Sequence, residues 1–408
     1  MRTTMINANV ITPNLEFKGG LVIDDGKIVK IYTNDENSNF NDKNIISTSK
    51  DKDFPWDGKI IDVNGLYLSP GFIDVHVHGG GGADFMDNES DTFETILNLH
   101  MNHGTTALSP TTLASSLDDI LKTIQSYENA LSLKSLPEMI GIHLEGPYVS
   151  FEHKGALDPA YIKSPEPEEY MKILDSTKHI KRWSIAPELE GALSLGMELK
   201  RRGIIAAIAH SDTVYDVVAM ANDYGFDFMT HFYSAMSTVK RINAYRHAGV
   251  IESGYLMDEF NTEIIADGHH LPASLLKLIY KVKGSSKICL ITDSMRAAGL
   301  PDYDSYLGKK DADFPVIVED GVAKLPDRSV FAGSVATADV LIRTMIEKAE
   351  VPLKEAIKMI TLTPAKIMGV EHKMGSIAVS KDANLVVFDK NINIKKVFIR
   401  GELVVNNL

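Results

Sequence analysis

Between Ser69 and about residue 365, strand-length apolar runs alternate with helical segments. EMIGIHLEG, RWSIAPE, GIIAAIAHSD, FDFMTHFYSA, NTEIIADGHH and KICLITDSM each close on polar residues. Strands that read as continuously apolar are buried on both faces, and their alternation with helices is the pattern of βα units around a parallel sheet. Several such units in a row, each with His, Glu or Asp just past the apolar run, predict an α/β fold of the TIM type. In such a (β/α)8 barrel the reactive side chains sit at the C-terminal ends of the strands. A barrel of this kind absorbs about 250 residues or more. The chain has 408, so a second, smaller unit is left over.

That unit is predicted from the two ends of the sequence. MINANVIT, GGLVIDDGKIVKIYT and KIIDVNGLYLSP alternate with period two and carry a DDG turn signal; MGSIAVSKDANLVVFDKNINIKKVFIRGELVVNN does the same, with KDAN and RGE turns. Neither piece easily forms a domain alone. Residues 1–66 and 367–408 are therefore expected to join in one small β-sandwich beside a barrel over 67–366. Residues 34–57, rich in Asn, Asp and Lys and without pattern, read as a solvated excursion.

Charge narrows the partners. With 42 Lys plus Arg against 55 Asp plus Glu, the net charge is −13, which repels nucleic acid and anionic membranes but leaves room for a small anion in a locally basic pocket. No stretch approaches the ~18 apolar residues of a membrane span, and MRTTMINANVITPN lacks a charged-then-apolar leader. The single Cys289, inside KICLIT, cannot form an internal disulfide and fits a small core residue, so a reducing, cytoplasmic setting is expected.

The strand ends carry the chemistry. In GFIDVHVHGGGG, His76 and His78 lie two apart and so project from one face of a strand. Taken alone, such a pair fits two hydrogen-bonded histidines as well as a metal grip. Glu145 closes GIHLEG, where a carboxylate is costly unless paired or coordinated; a helix-capping role is the structural alternative. His210 in IAHSD and His231 in MTHFYSAM end runs too apolar to leave an imidazole unsatisfied. Each alone would fit a core histidine. Together with Glu145 they make a Glu/His/His set suited to a catalytic zinc or iron with a water position left open. Asp293, ending LITD, is placed to take a proton from that water and deliver it to a leaving amine, or else to cap the turn that follows.

The ordered series His-x-His, Glu, His, His, Asp on successive strand ends resembles the amidohydrolase superfamily, which pairs a barrel with a small β domain from both termini. HLEGPYVS, AHSDT, HFYSAM, IADGHH, LITDS, FAGS and TLTPAKIMG are similar to the N-acetylglucosamine-6-phosphate deacetylases, over essentially the whole chain. The resemblance implies a principal divalent metal on Glu145, His210 and His231, a second on His76, His78 and bridging Glu145, and Asp293 as acid and base. It implies phosphosugar contacts at Ala156, Ser234, Ala235, Arg246, His270 and Phe331, Ala332, Gly333 and Ser334, and a homodimer. An arginine at 246 suits phosphate because a guanidinium fork matches its oxygens; a solvated surface residue is the other reading of it.

Two positions depart from the family's pattern: Leu157 in KGALDP stands where His is common, and Ser234 where Asn is common. Leu157 removes a donor to the amide carbonyl and Ser234 shortens the reach, which brings in the galacto epimer of the sugar phosphate as an alternative. Two further readings differ in class: an amidohydrolase acting on a cyclic amide or another N-acyl amine, and a non-catalytic barrel scaffold. The ligand set argues against the scaffold.

Overall fold

The computed structural model describes residues 2–34, 47–48, 58–310 and 314–407. Eight parallel strands follow one another in sequence and in space: β1 (Phe72–Val77), β2 (Thr105–Thr112), β3 (Ile142–Glu145), β4 (Ile180–Ile185), β5 (Ile205–Ile208), β6 (Phe226–Met229), β7 (Asn261–Ile265) and β8 (Ile288–Ile291). The circle closes between β8 and β1. There Val77 and Ser294 form a parallel bridge, the Asp293 N–H donates to the His76 carbonyl and the His78 N–H to that of Ser294, each at 3.0 Å.

A helix follows every strand, from Thr92–Asn102 after β1 to Ala338–Glu347 after β8. The helix Leu117–Ala130 shows how the sequence does this. Ile120, Thr123, Ile124 and Tyr127 recur at helical spacing and are buried, while the Ser116 hydroxyl caps the first turn by accepting from the Asp119 N–H. The result is the TIM-type barrel that the alternating runs predict.

The strands differ from their sequence reading in one respect. Several of them carry polar residues at alternate positions, whereas β5 (IAAI) and β8 (ICLI) are apolar throughout. In β1, Ile73 and Val75 pack with Ala365 and Met374, whereas Asp74 and His76 alternate with them and belong to the barrel interior. His143 and Glu145 in β3, Arg182 and Ser184 in β4 and Glu263 in β7 do the same, all fully or almost fully buried. Period-two alternation lets one strand present hydrocarbon to the helices and hydrogen-bonding groups to the barrel axis.

Both ends of the sequence meet in one nine-stranded sheet. Leu385–Phe388 pairs antiparallel with Tyr67–Pro70, which links Ile394–Ile399 and Glu402–Asn406 to Thr3–Ile11, Glu16–Asp24 and Lys27–Thr33. The DDG and RGE signals fall on two-residue hairpin turns with both central residues left-handed, Asp25 (φ 47°) with Gly26 (φ 73°) and Arg400 (φ 46°) with Gly401 (φ 77°). LVVF is apolar at every position for a reason. Leu385 and Val387 join Met5, Val10, Leu21 and Phe398 in a core of the sheet's own, while Val386 and Phe388 pack on the barrel. Most of the polar stretch at 34–57 lies outside the described residues; of it only Asn34 and the strand Ser47–Thr48 are described.

Two appendages rise at the strand ends. A four-stranded antiparallel flap follows β8, with strands Asp304–Tyr306, Pro315–Glu319, Val322–Lys324 and Phe331–Ser334; its underside, Val316, Val318, Ala323 and Ala332, packs on Ala156, Met295 and Ala297. A hairpin of Lys240–Ile242 and Tyr245–His247 follows β6. Cys289 is free and fully buried in β8, and burial pushes its thiol pKa well up, so it serves as a small core residue. Among the described residues no helix is long and apolar enough to cross a membrane.

Candidate metal centre and active-site cavity

The floor of the barrel mouth is built from five of the strand ends. His76 and, one residue past β1, His78 share a face; Glu145 closes β3; His210, His231 and Asp293 each stand two residues beyond β5, β6 and β8. Those three adopt left-handed backbone, φ 46°, 29° and 48°, a conformation that costs a residue with a Cβ of order 1 kcal/mol or more and is tolerated where the surroundings enforce it. The turn keeps each side chain over the barrel instead of letting the chain run straight out.

The six groups converge as the sequence reading expects. Glu145 divides its carboxylate between two histidine pairs: Oε1 lies 3.1 Å from His210 Nε2 and 2.8 Å from His231 Nε2, and Oε2 lies 3.3 Å from His76 Nε2 and 3.0 Å from His78 Nε2. Asp293 Oδ1 is 3.2 Å from His78 Nε2 and 3.4 Å from His76 Nε2. A tetrahedral ion with bonds of ~2.0–2.1 Å has ligand-to-ligand edges of about 3.3 Å. The residues thus form two sets with metal-ligand spacing, Glu145–His210–His231 and His76–His78–Asp293.

The layer beneath fixes how these ligands present themselves. His76 Nδ1 lies 3.1 Å from Glu263 Oε2 and His210 Nδ1 lies 2.8 Å from the His153 carbonyl, so each Nδ1–H is donated outward and each Nε2 lone pair faces the centre. Glu263 is itself ion-paired to the buried guanidinium of Arg182, which also donates to His143 Nδ1 at 2.6 Å. A guanidinium only donates, so His143 carries its proton on Nε2, 2.7 Å from the Ser184 hydroxyl; burial and the Arg182 charge hold its pKa well below the usual value. Deeper still, burial lifts the carboxyl of Asp74 to about 7 despite a 2.6 Å hydrogen bond from Thr292.

The buried charges of the site leave room for a cation. Apart from Asp74, Glu145, Glu263 and Asp293 bring three negative charges into the barrel against one guanidinium. Burial opposes charging the imidazoles, yet Asp293, Glu145 and Glu263 lift His76 to about 10, and Asp293 with Glu145 lifts His78 to about 9. Against the same burial, the histidines around Glu145 hold it well below the carboxylate range, and His76 and His78 hold Asp293 below it. Two positive charges are what the site lacks, and a divalent ion would take the place of the two protons it otherwise attracts.

Above the floor opens a cavity of about 460 Å³. Its walls include Ala156 and Leu157, Ser234 and Ala235, and His270 with Phe331 and Gly333. The His270 ring packs on Phe331 at 4.6 Å and its Nδ1 donates to Asp267 at 2.7 Å. Three residues of the sequence reading lie elsewhere. Ala332 is in the core under the flap, and Ser334 donates its hydroxyl to the Thr292 carbonyl and its N–H to that of Asp293, bracing the strand end that carries the acid. Arg246 is exposed on the Lys240–His247 hairpin and is absent from the cavity wall. Conversely Arg182, His143 and Glu263 beneath the site, and Lys324 and Arg328 on the flap side of the cavity, were not singled out from sequence.

The family model described as "Amidohydrolase family" matches residues 67–404. The chain belongs to the amidohydrolase family. Among its members it is 33% identical over 403 residues to the N-acetylglucosamine-6-phosphate deacetylase of Bacillus subtilis (strain 168), covering 97% of this chain and 95% of that one. It is 31% identical over 339 residues to the N-acetylgalactosamine-6-phosphate deacetylase of Escherichia coli O157:H7, covering 82% and 87%. The crystal structure of N-acetylglucosamine-6-phosphate deacetylase from Pasteurella multocida superposes with a TM-score of 0.87 at 30% identity and covers 99% of both chains. This amidohydrolase therefore shares its whole architecture, terminal sheet included, with that enzyme.

Proposed function

We propose that the chain hydrolyses the N-acetyl group of N-acetylglucosamine 6-phosphate, releasing acetate and glucosamine 6-phosphate. The observation that carries the reading is the Glu145 carboxylate, divided between two histidine pairs beside Asp293 on the floor of a sugar-sized cavity. The relatives' activities support it. Glu145, His210 and His231 would hold one divalent ion, zinc or iron, and His76, His78 and Asp293 with Glu145 a second. When bound, such ions lower the pKa of water and polarise the amide carbonyl.

The chain's own groups do the remaining work. Asp293 takes a proton from the water as its oxygen adds to the acetyl carbon, then returns it to the amine nitrogen as the C–N bond breaks; the water oxygen leaves in acetate. Ala156, Ser234, Ala235, His270, Phe331 and Gly333 position the sugar phosphate. The cavity holds the reacting amide away from bulk solvent, where each polar contact counts for more. The same reading treats 1–66 with 367–408 as a small domain supporting a barrel over 67–366, and the protein as a cytoplasmic homodimer.

One observation favours a second substrate. Leu157 puts an apolar side chain on the cavity wall, and a relative at 31% identity acts on the galacto epimer. Acetate release over gluco, galacto and manno N-acetylhexosamines, each with and without 6-phosphate, decides between them. The gluco phosphate is expected to turn over at least tenfold better than the rest; a faster galacto phosphate moves the assignment, and equal rates without phosphate overturn it.

A further inference from the structure

Two side chains beside the metal-binding floor take no part in the reaction above, yet the fold joins them. His153 lies in the FEHKG turn after β3, and Asp212 stands two residues after His210 in AHSDT. His153 Nε2 donates to Asp212 Oδ1 at 2.8 Å. Lys240, at the foot of the Lys240–His247 hairpin, donates through Nζ to Asp212 Oδ2 at 2.5 Å and to the Asp212 carbonyl at 2.7 Å. The Asp212 N–H goes to Glu188 Oε1 at 2.7 Å, so this residue is fixed at both main-chain groups as well as at its carboxylate.

What the bridge holds is the backbone of His153. The His153 carbonyl accepts from His210 Nδ1 at 2.8 Å, and the Ser150 N–H, at the other end of the same turn, donates to the His210 carbonyl at 2.9 Å. A ligating imidazole takes its ring orientation from the group that its second nitrogen meets. Here that group sits in a segment with little hydrocarbon to secure it. Between Phe151 and Gly155 no residue is buried, and Phe151 is 59% exposed; apolar anchorage resumes only at Ala156 and Leu157. A 3.2 Å bond from the His153 N–H to the Ser150 carbonyl closes the turn, and the His153 ring ties it to Asp212. The His153, Asp212 and Lys240 side chains are all partly exposed, where ion pairs add little to stability. The contribution of the bridge is to fix a place.

We propose that His153, Asp212 and Lys240 are positioning residues for the metal ligand His210, setting the direction of its Nε2 lone pair through the His153 carbonyl. The proposal rests on the reading of Glu145, His210 and His231 as metal ligands. The bridge fastens the loops after β3, β5 and β6 to one another behind that ligand. Cutting it lets the turn drift, so the carbonyl leaves Nδ1 and the ring turns away from Glu145, whose Oε1 stands 3.1 Å from His210 Nε2.

Cobalt(II) titrated into the metal-free full-length protein tests it, because affinity and visible absorption both report ligand geometry and neither needs a substrate. Asp212→Ala and His153→Ala are each expected to bind at least one cobalt equivalent about 10–100-fold more weakly than the parent, with an altered absorption band. The urea midpoint of the metal-free protein should stay where it is. Lys240→Met should weaken binding by about threefold to tenfold, and Lys240→Arg should keep the parent value. Since a single bridge is cut, the variant carrying both Asp212→Ala and His153→Ala is expected to bind within about threefold of either single variant. Parent affinity and spectrum in both alanine variants, or losses that multiply in the double variant, overturn the bridge and leave the metal centre standing. A parent protein that takes up no cobalt overturns the metal centre itself, and the proposal with it.

Discussion

The floor of the cavity and its flap rim are both made of ionic contacts, and they work by opposite rules. On the floor, Glu263, Arg182, His76, His143 and Glu145 are sealed from water, so each charge must be matched by a specific partner and removing one strands the rest. At the rim, Glu319, Lys324 and Arg328 remain partly in solvent, where a pair contributes little to stability and can exchange partners. Buried polarity here fixes geometry, whereas the wet pairs of the rim are free to exchange partners with solvent.

The comparison is broken most sharply at Asp293. Asparagine accepts the left-handed backbone of that position and keeps an oxygen toward His78, so Asp293→Asn is expected to fold and retain metal while turnover falls by about 10²–10⁴. Elemental analysis beside acetate release checks it; an active Asn variant with normal metal content removes Asp293 from the mechanism. Next comes Glu263→Gln. It leaves the Arg182 guanidinium buried without its counter-charge and weakens the outward hold on His76, and a metal titration should show affinity lower by about 10–100-fold. Retained affinity would show that the floor tolerates loss of a partner as the rim does.

The smallest effect belongs to a three-residue cluster on the outer surface. Glu198 accepts from Arg201 and Arg202, which hold its carboxyl at about 2. A depressed carboxylate stabilises the fold above its unfolded pKa near 4.3 and loses that contribution as pH falls through about 2. Discounted for solvent screening, Glu198→Gln is expected to cost no more than about 1 kcal/mol at pH 7 and almost nothing near pH 2. Urea unfolding at the two pH values gives the difference, and a larger cost at low pH contradicts the sign.

How legible each region was from the residues follows the same division. The six floor groups were readable because strand ends are marked twice, by the end of an apolar run and by a lone reactive residue, as in GIHLEG and LITDS. Arg182, His143 and Glu263 escaped notice because RWSIAPE, GIHLEG and NTEII look apolar when hydrophobic content is summed. Two residues back from the ends of β3 and β7 stand His143 and Glu263, and three back from the end of β4 stands Arg182. Lys324 and Arg328 carried no such mark, since a basic residue in a short antiparallel insertion has the same pattern whether it faces a cavity or bulk water. Arg246 was assigned through the family resemblance; in the structure it lies exposed on the Lys240–His247 hairpin, where Tyr245 is 75% exposed.

The pairing of Tyr67–Pro70 with Leu385–Phe388 ties the order of synthesis to the order of assembly. Only Gly71 separates that strand from β1. The amino-terminal strands leave the ribosome some three hundred residues before the segment that completes their sheet, so for most of translation Met5, Val10, Leu21 and Leu68 lack the cover that Leu385, Val387 and Phe398 supply. A chain cut short before residue 385 would lack Leu385–Phe388 and leave the edge of Tyr67–Pro70 unpaired, open to another strand, and not merely yield a shortened enzyme.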